Sequence, residues 1–420
     1  MSIKDSITDY LKSGETRDQK LGLEIEHFIV NGNGEQMCFE EITFLIKEVA
    51  TIINADIHYI DGFPVGYYNG RYSISLEPAC QFEISIDPYS DLETIKEIYG
   101  EFRSLWDPVF KTRGYHFETY GNLPVVELGI VKPDDIPLSP KKRYKYMDNY
   151  FKTSGKYGKY MMRASASTQV SVDYRSEEDM AKKLRVLEKL SPILAIVMEN
   201  KYEDTSSLPG RSDRPHLLRI QEWDDLDPAR TGFIEGSLDK DFGYEQIAEV
   251  VYNTPLILLS DNGETVGVGS QSARDLFDSG YLNEGSIDEP RRTKLIEHFM
   301  SMGFFHYRVK KYIEIRVADS VPIDRALGYV ALLKGILYSD AALNTIDWEL
   351  STINSAEQIQ QAIESIEKDG FNALTYYGKT AGEWADHLIR IASTGLSGED
   401  KEYLNNVRTV WDHIQSKGAC

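Results

Sequence analysis

LGLEIEHFIV, residues 21–30, puts Leu21, Leu23, Ile25 and Ile29 on one side of an extended chain and Glu24 and Glu26 on the other. A period of two marks a β-strand with one buried face. The Asn31-Gly32-Asn33-Gly34 run that follows reads as a hairpin or tight loop. The pattern recurs downstream. Gln81–Ile86 sets Phe82, Ile84 and Ile86 opposite Gln81, Glu83 and Ser85. Arg163–Tyr174 alternates Ala164, Ala166, Thr168, Val170 and Val172 with Arg163, Ser165, Ser167, Gln169, Ser171 and Asp173. Lys311–Asp319 sets Ile313, Ile315 and Val317 opposite Glu314 and Arg316.

A charged strand face is ordinarily the solvent side of a sheet. These faces differ in avoiding lysine, the usual guard of an exposed strand. They combine carboxylates with arginine, the pairing expected where metal-bound phosphate is handled. Magnesium takes hard oxygen ligands and shares them among carboxylates, water and substrate phosphates. Glu24, Glu26, Glu77, Glu83 and Glu314 supply such ligands if one sheet gathers them. Arg163 and Arg316 suit a transferring phosphoryl group or a substrate carboxylate.

The 420 residues, 41% hydrophobic and 27% charged, describe an ordinary globular chain able to bury a large core. A formal net charge of −21 opposes binding to nucleic acid or an anionic membrane. Cys38, Cys80 and Cys420 form no CxxC pair, so neither a zinc site nor a disulfide framework is expected, and a reducing, cytoplasmic location fits. The first twenty residues lack the apolar core of a signal peptide, and the apolar runs are too short to span a bilayer.

Helical periodicity covers residues 40–54, 91–113, 177–200, 287–303, 322–338, 355–368 and 381–394. No linker or repeat divides the chain, so one integrated unit is expected, with a core over 15–340 and a mostly helical part over 345–420. Phosphate-binding GxxxxGK[ST], dinucleotide-binding GxGxxG, zinc-binding HExxH and nucleophile-elbow GxSxG motifs are all absent. His27, beside the first two carboxylates, is expected to be structural, and Cys80 a small buried thiol.

Seven segments, in order over about residues 20–340, resemble the plant and bacterial branch of the glutamate–cysteine ligase family. They are LGLEIEHF from Leu21, SLEPACQFEISIDP from Ser75, KKRYKYM from Lys141, YMMRASASTQVSVDY from Tyr160, WDDLDPARTGF from Trp223, DFGYEQIAEVVYNTPLI from Asp241 and KKYIEIRVADSVP from Lys310. The resemblance implies an α+β fold like that of glutamine synthetase, with a curved, largely antiparallel sheet and surrounding helices. It implies ATP and Mg²⁺ as cofactors. The reaction would phosphorylate the γ-carboxylate of glutamate, and the amine of cysteine would displace the phosphate to give γ-glutamylcysteine, the first step of glutathione biosynthesis.

By the same resemblance Glu24, Glu26, Glu77, Glu83 and Glu314 hold magnesium, and Arg316 stabilises the transferring phosphoryl. Arg163 would sit near the glutamate and acceptor sites, and Arg230 would meet a substrate carboxylate. Cys80 departs from the family by standing where glycine or another small residue is usual. The alignment near Trp223 is loose, so Arg211, Arg214 and Arg219 compete for one family arginine. Small-molecule substrates, no nucleic acid, no membrane, and a monomer or homodimer are expected. A different amine acceptor, or a non-catalytic relative binding nucleotide or glutamate, stays open.

Overall fold

The computed structural model describes residues 2–203, 208 and 214–407. The strands in chain order are β1 (Leu21–Asn31), β2 (Asp56–Ile60), β3 (Phe63–Tyr68), β4 (Tyr72–Leu76), β5 (Phe82–Tyr89), β6 (Tyr115–Glu118) and β7 (Ser167–Val172). They continue as β8 (Thr231–Gly232), β9 (Pro255–Asp261), β10 (Glu264–Ser272), β11 (Phe304–Phe305), β12 (Tyr307–Val309) and β13 (Ile313–Asp319). Nine of these form one sheet in the order β12-β13-β7-β1-β5-β4-β3-β2, with β6 also paired to β1. All of its pairings are antiparallel, giving the α+β architecture expected.

The opening strand is central. Its alternation explains why: Leu21, Leu23 and Ile25 are fully buried on one face, while Glu24 and Glu26 occupy the other. The apolar face packs under helices Leu92–Lys111, Glu177–Val197 and Ile323–Leu337, which carry much of the core. His27 lies on that apolar side, in contact with Tyr99, Phe102 and Phe117, as a structural histidine would. The Asn31–Gly34 turn is tight. Gly34 adopts φ +76°, its N–H donates to the Asn31 carbonyl at 3.0 Å, and Val30 pairs with Gln36 across it.

The seven expected helices all form, within a few residues of the sequence bounds. Those at Ile3–Lys12, Lys142–Ser154, Gly158–Ala164, Leu218–Asp224, Tyr244–Asn253, Ala273–Asp278 and Asp340–Glu349 escape the sequence reading. One expected strand is shortened. Arg163 and Ala164 are helical, as the end of Gly158–Ala164; Ser165 is extended but makes only an isolated bridge to Asn122, and β7 begins at Ser167. The Lys, Met, Arg and Ala of that segment are strong helix formers, which a run of small alternating residues obscured. Among the described residues, no single helix is long and apolar enough to cross a membrane.

Candidate active site

The polar face of the sheet walls a cavity of about 390 Å³. Glu24 and Glu26 reach it from β1, Glu83 from β5, Glu314 and Arg316 from β13, and Glu77 from the turn after β4. Six of the eight residues expected at the site therefore meet on one wall, although they span almost three hundred positions of sequence. Register makes this so. Glu24 faces Gln169 and Ser85, Glu26 faces Glu83, and Glu314 faces Ser171 on neighbouring strands.

Placing Glu26 directly opposite Glu83 costs stability, because like charges across a strand pair repel. The carboxylates respond by resisting ionisation. Burial, and then the charge of Glu314, pushes Glu24 up to about 7. Burial and Glu77 push Glu26 up to about 7. Burial together with Glu24, Glu77 and Glu26 raises Glu83 well above the carboxylate range. Local hydrogen bonds hold the two opposed groups in place. Glu26 accepts from the Ser167 N–H at 2.7 Å and hydroxyl at 3.0 Å, and Glu83 accepts from the Ser75 and Ser85 hydroxyls.

Glu314 behaves oppositely. Burial alone would raise it, but Arg308, Lys310 and Arg316 hold it well below the usual range. Arg308 grips it with two hydrogen bonds, at 2.6 and 2.8 Å, and Lys310 and Arg316 both lie at 3.2 Å. Arg316 also donates to Gln169 at 2.6 Å, and its guanidinium lies 5.6 Å from the centre of the Trp223 ring. A bulge between Ile315 and Ala318 breaks the β13–β7 ladder beside it, a device that re-aims side chains next to active sites.

Two expected site residues lie elsewhere. Arg163, near the end of its short helix, does not line the cavity. Its guanidinium pairs with Asp148 at 2.6 Å and donates to the Ile136 carbonyl. Arg230 is fully buried, bound to Asp227 at 2.7 Å and to the carbonyls of Pro255 and Met302, and it too is absent from the cavity wall. Both work as internal ties as the chain stands here. Of the three competing arginines, Arg219 lines the cavity, Arg214 does not, and Arg211 lies outside the described residues.

Lys141, Arg143, Trp223, Arg308 and Lys310 also line the cavity and were not singled out by sequence. Arg308 was detectable in principle, since the β12–β13 hairpin sets it directly opposite Glu314. Lys141 and Arg143 belong to the KKRYKYM segment, whose helix Lys142–Ser154 the sequence reading missed. Lys141 is held down to about 8 by burial, against the attraction of Glu77.

The donor set fits magnesium. Four half-buried carboxylates, Glu24, Glu26, Glu77 and Glu83, offer hard oxygens, and a divalent cation among them would favour the ionised forms of Glu24, Glu26 and Glu83. Among the described residues, no three acidic, histidine or cysteine side chains form a self-sufficient coordination cluster. Anionic substrates are served by the six cations of the same cavity.

Carboxylates suited to a hard cation beside arginines suited to phosphate, on one face of an antiparallel sheet, are what an ATP-dependent ligase requires. The model of glutamate–cysteine ligase family 2 matches residues 20–417, and the chain belongs to that family. The chloroplastic glutamate–cysteine ligase of Nicotiana tabacum is 28% identical over 97% of this chain and 77% of its own length. That of Medicago truncatula is 32% identical over 83% of this chain and 68% of its own. Among solved structures, the glutamate–cysteine ligase of Francisella tularensis in complex with AMP is similar with a TM-score of 0.53 at 14% identity, covering 94% of this chain and 81% of that one. At that identity the likeness speaks to the fold alone.

These relatives overturn the cytoplasmic placement expected from the sequence: the named plant proteins are chloroplastic. Scarce cysteine marks a chain without a disulfide framework and does not tell one reducing compartment from another.

Proposed function

We propose that this chain makes γ-glutamylcysteine from ATP, glutamate and cysteine by way of γ-glutamyl phosphate. The single observation that carries the reading is the meeting of Glu24, Glu26, Glu77, Glu83, Glu314 and Arg316 in one cavity. Glu24, Glu26, Glu77 and Glu83 would hold Mg²⁺, with Glu314 contributing from its salt-bridge network. When bound, the ion neutralises phosphate charge and aligns the triphosphate with the attacking carboxylate.

The chain's own groups do the rest. An oxygen of the glutamate γ-carboxylate attacks the γ-phosphorus of ATP, and ADP leaves. Arg316, steadied by Gln169 and Glu314, is aimed to stabilise the charge spread over the transferring phosphoryl oxygens. The acceptor amine then attacks the acyl carbon and inorganic phosphate departs, taking the electron pair of the broken C–O bond. Glu314 positions Arg308, Lys310 and Arg316 by being ionised when they are charged. Arg163 and Arg230, tied up in Asp148 and Asp227, are not given substrate roles.

The test is a screen of amine acceptors with ATP and glutamate, read by ADP release and product mass. A product with the mass of γ-glutamylcysteine, formed only when all three substrates are present, is expected. ADP release without any glutamyl product would defeat the reading.

A further inference from the structure

The turn after β4, Glu77 to Gln81, separates two cavities. Glu77, Pro78 and Gln81 line the sheet cavity, whereas Ala79 and Cys80 line a second one of about 360 Å³. Its walls are apolar, built from Met37, Phe39, Val125, Ile136 and Leu138. Enclosure on this scale suits a small molecule. Among the described residues the lining holds three carboxylates, Glu35, Glu40 and Asp135, and no lysine, arginine or histidine. The adjacent Glu41 and Asp134 are paired, with Arg113 and Lys159, but the three lining carboxylates are in no ion pair. Glu35 accepts from the neutral Asn31 amide. Gln36, also on the wall, has its amide nitrogen buried with no hydrogen-bond partner. A buried donor left open is costly, and an acceptor on an occupant would satisfy it.

The partition between the cavities is stiff. The Cys80 N–H donates to the Glu77 carbonyl at 3.0 Å, and the Glu77 N–H donates to the Gln81 carbonyl at 2.9 Å. The Gln81 side chain accepts from the Ala79 N–H and donates to the Ser165 carbonyl, each at 2.9 Å. From the other wall the Ser139 N–H donates to the Pro78 carbonyl at 2.8 Å. That wall runs from Pro137 to Pro140 and straight on into Lys141, which lines the sheet cavity and donates to the Leu76 carbonyl. Pressure on Ala79 or Cys80 is therefore passed to Glu77 through a hydrogen-bonded turn. A ligand that fits one position of this turn better than another shifts it by the difference in affinity.

We propose that the second cavity binds a small amphiphilic amine and that its occupancy retunes Glu77 in the sheet cavity. The apolar walls take the body of the ligand, the carboxylate rim its ammonium, and Gln36 an acceptor oxygen. The three carboxylates are exposed, so their pull is screened and the walls supply most of the affinity. Binding stands on this cavity by itself. The effect on Glu77 rests on the ligase reading above and extends it to regulation.

The probe is N,N-dimethyl-2-(4-methoxyphenyl)ethylamine, an aryl ether whose tertiary nitrogen cannot be acylated to a stable amide and so cannot serve as an acceptor. Calorimetry on the full chain, without ATP, glutamate or cysteine, should show saturable binding. Binding of 3-(4-methoxyphenyl)propanoate, which keeps ring and ether but inverts the charge, should be at least about fivefold weaker. Leu138→Trp fills the cavity from a half-buried position and should abolish binding of the amine. Glu35→Gln with Glu40→Gln touches only exposed side chains and should narrow the preference for amine over carboxylate, which decides the matter if Leu138→Trp does not fold. In turnover assays, saturating probe should move the Mg²⁺ concentration for half-maximal rate at least about fivefold. Equal binding of both probes, or amine binding that neither variant alters, overturns the site. Binding that Leu138→Trp abolishes but that leaves the Mg²⁺ response unmoved overturns the link to Glu77. A chain that forms no glutamyl product fails at the ligase reading, and calorimetry still judges the site.

Discussion

Arg316 and Glu83 carry opposite burdens in the same cavity, and each can be tested by a change that keeps shape while altering charge or geometry. Glu83→Gln removes one of the mutually repelling carboxylates, so folding should hold or improve while turnover falls at least about tenfold if Glu83 holds the metal. Chelation of the wild type should abolish turnover and added Mg²⁺ should restore it. A Glu83→Gln enzyme with near-normal turnover would take Glu83 out of the metal site. Arg316→Lys keeps the charge but loses the paired donors, and kcat should drop about 100-fold with little change in the KM for glutamate. A defect in that KM alone would recast Arg316 as a substrate anchor. His27 tests stability instead of chemistry. Burial, in spite of a bond to the Phe82 carbonyl, holds it down at about 3, so the unfolded chain takes up a proton near pH 6.5 that the folded chain refuses. Its contribution is intact above that pH and is lost as pH falls, at up to about 1.4 kcal/mol per pH unit. His27→Gln should therefore show a flatter loss of denaturation midpoint between pH 6.5 and 4.5, and parallel curves would refute the assignment.

Elements show where local sequence competes with tertiary demand. Helix Glu177–Val197 contains Pro192, whose missing N–H would strand the carbonyl of Glu188. Ser191 repairs the gap by donating its hydroxyl to that carbonyl at 2.8 Å, and its oxygen lies 3.0 Å from the hydroxyl of Tyr307 on β12. Ser191→Ala should lower stability by about 1 kcal/mol in chemical denaturation, with no change in slope. A null effect would mean the helix relaxes around the proline without help. The turn bearing Glu77 makes a related compromise. Cys80 holds φ +65°, a left-handed conformation natural to glycine, and its thiol is buried in the core. Burial pushes that thiol up to about 12, which makes it a poor nucleophile and agrees with a packing role.

At the scale of the molecule, the helices after residue 340 are part of the support for the site. Ala356–Asp369 and Ala381–Gly395 pack on Glu177–Val197, and Ala381–Gly395 also packs on Ile323–Leu337, the helices that back the sheet. Trp384, among the largest fully buried side chains, lies in the same continuous core as Leu23 and Ile315. We propose that the chain folds as one cooperative unit. Truncation after residue 345 should leave no sharp thermal transition, and a truncated chain that melts cooperatively with activity would show that the core over 15–340 stands alone.

The period of two in Leu21–Asn31 and Ile313–Asp319 was sufficient to place Glu24, Glu26, Glu314 and Arg316 on a polar strand face, because strand geometry alone fixes which side chains share a face. The same period over Gln81–Ile86 placed Glu83, and the order of the motifs added the family. Sequence could not decide which arginines face the cavity. Arg163 and Arg230 are bound by Asp148 and Asp227, and only the packing of several elements reveals those partners. Nor could it find that Arg143 lines the cavity, because the helix Lys142–Ser154 that carries it was not legible in the sequence. Local alternation is set by bonds and dihedrals within a few residues. Whether a charge is satisfied or left open depends on groups brought within a few ångströms from distant parts of the chain, and that is settled only when the sheet has assembled.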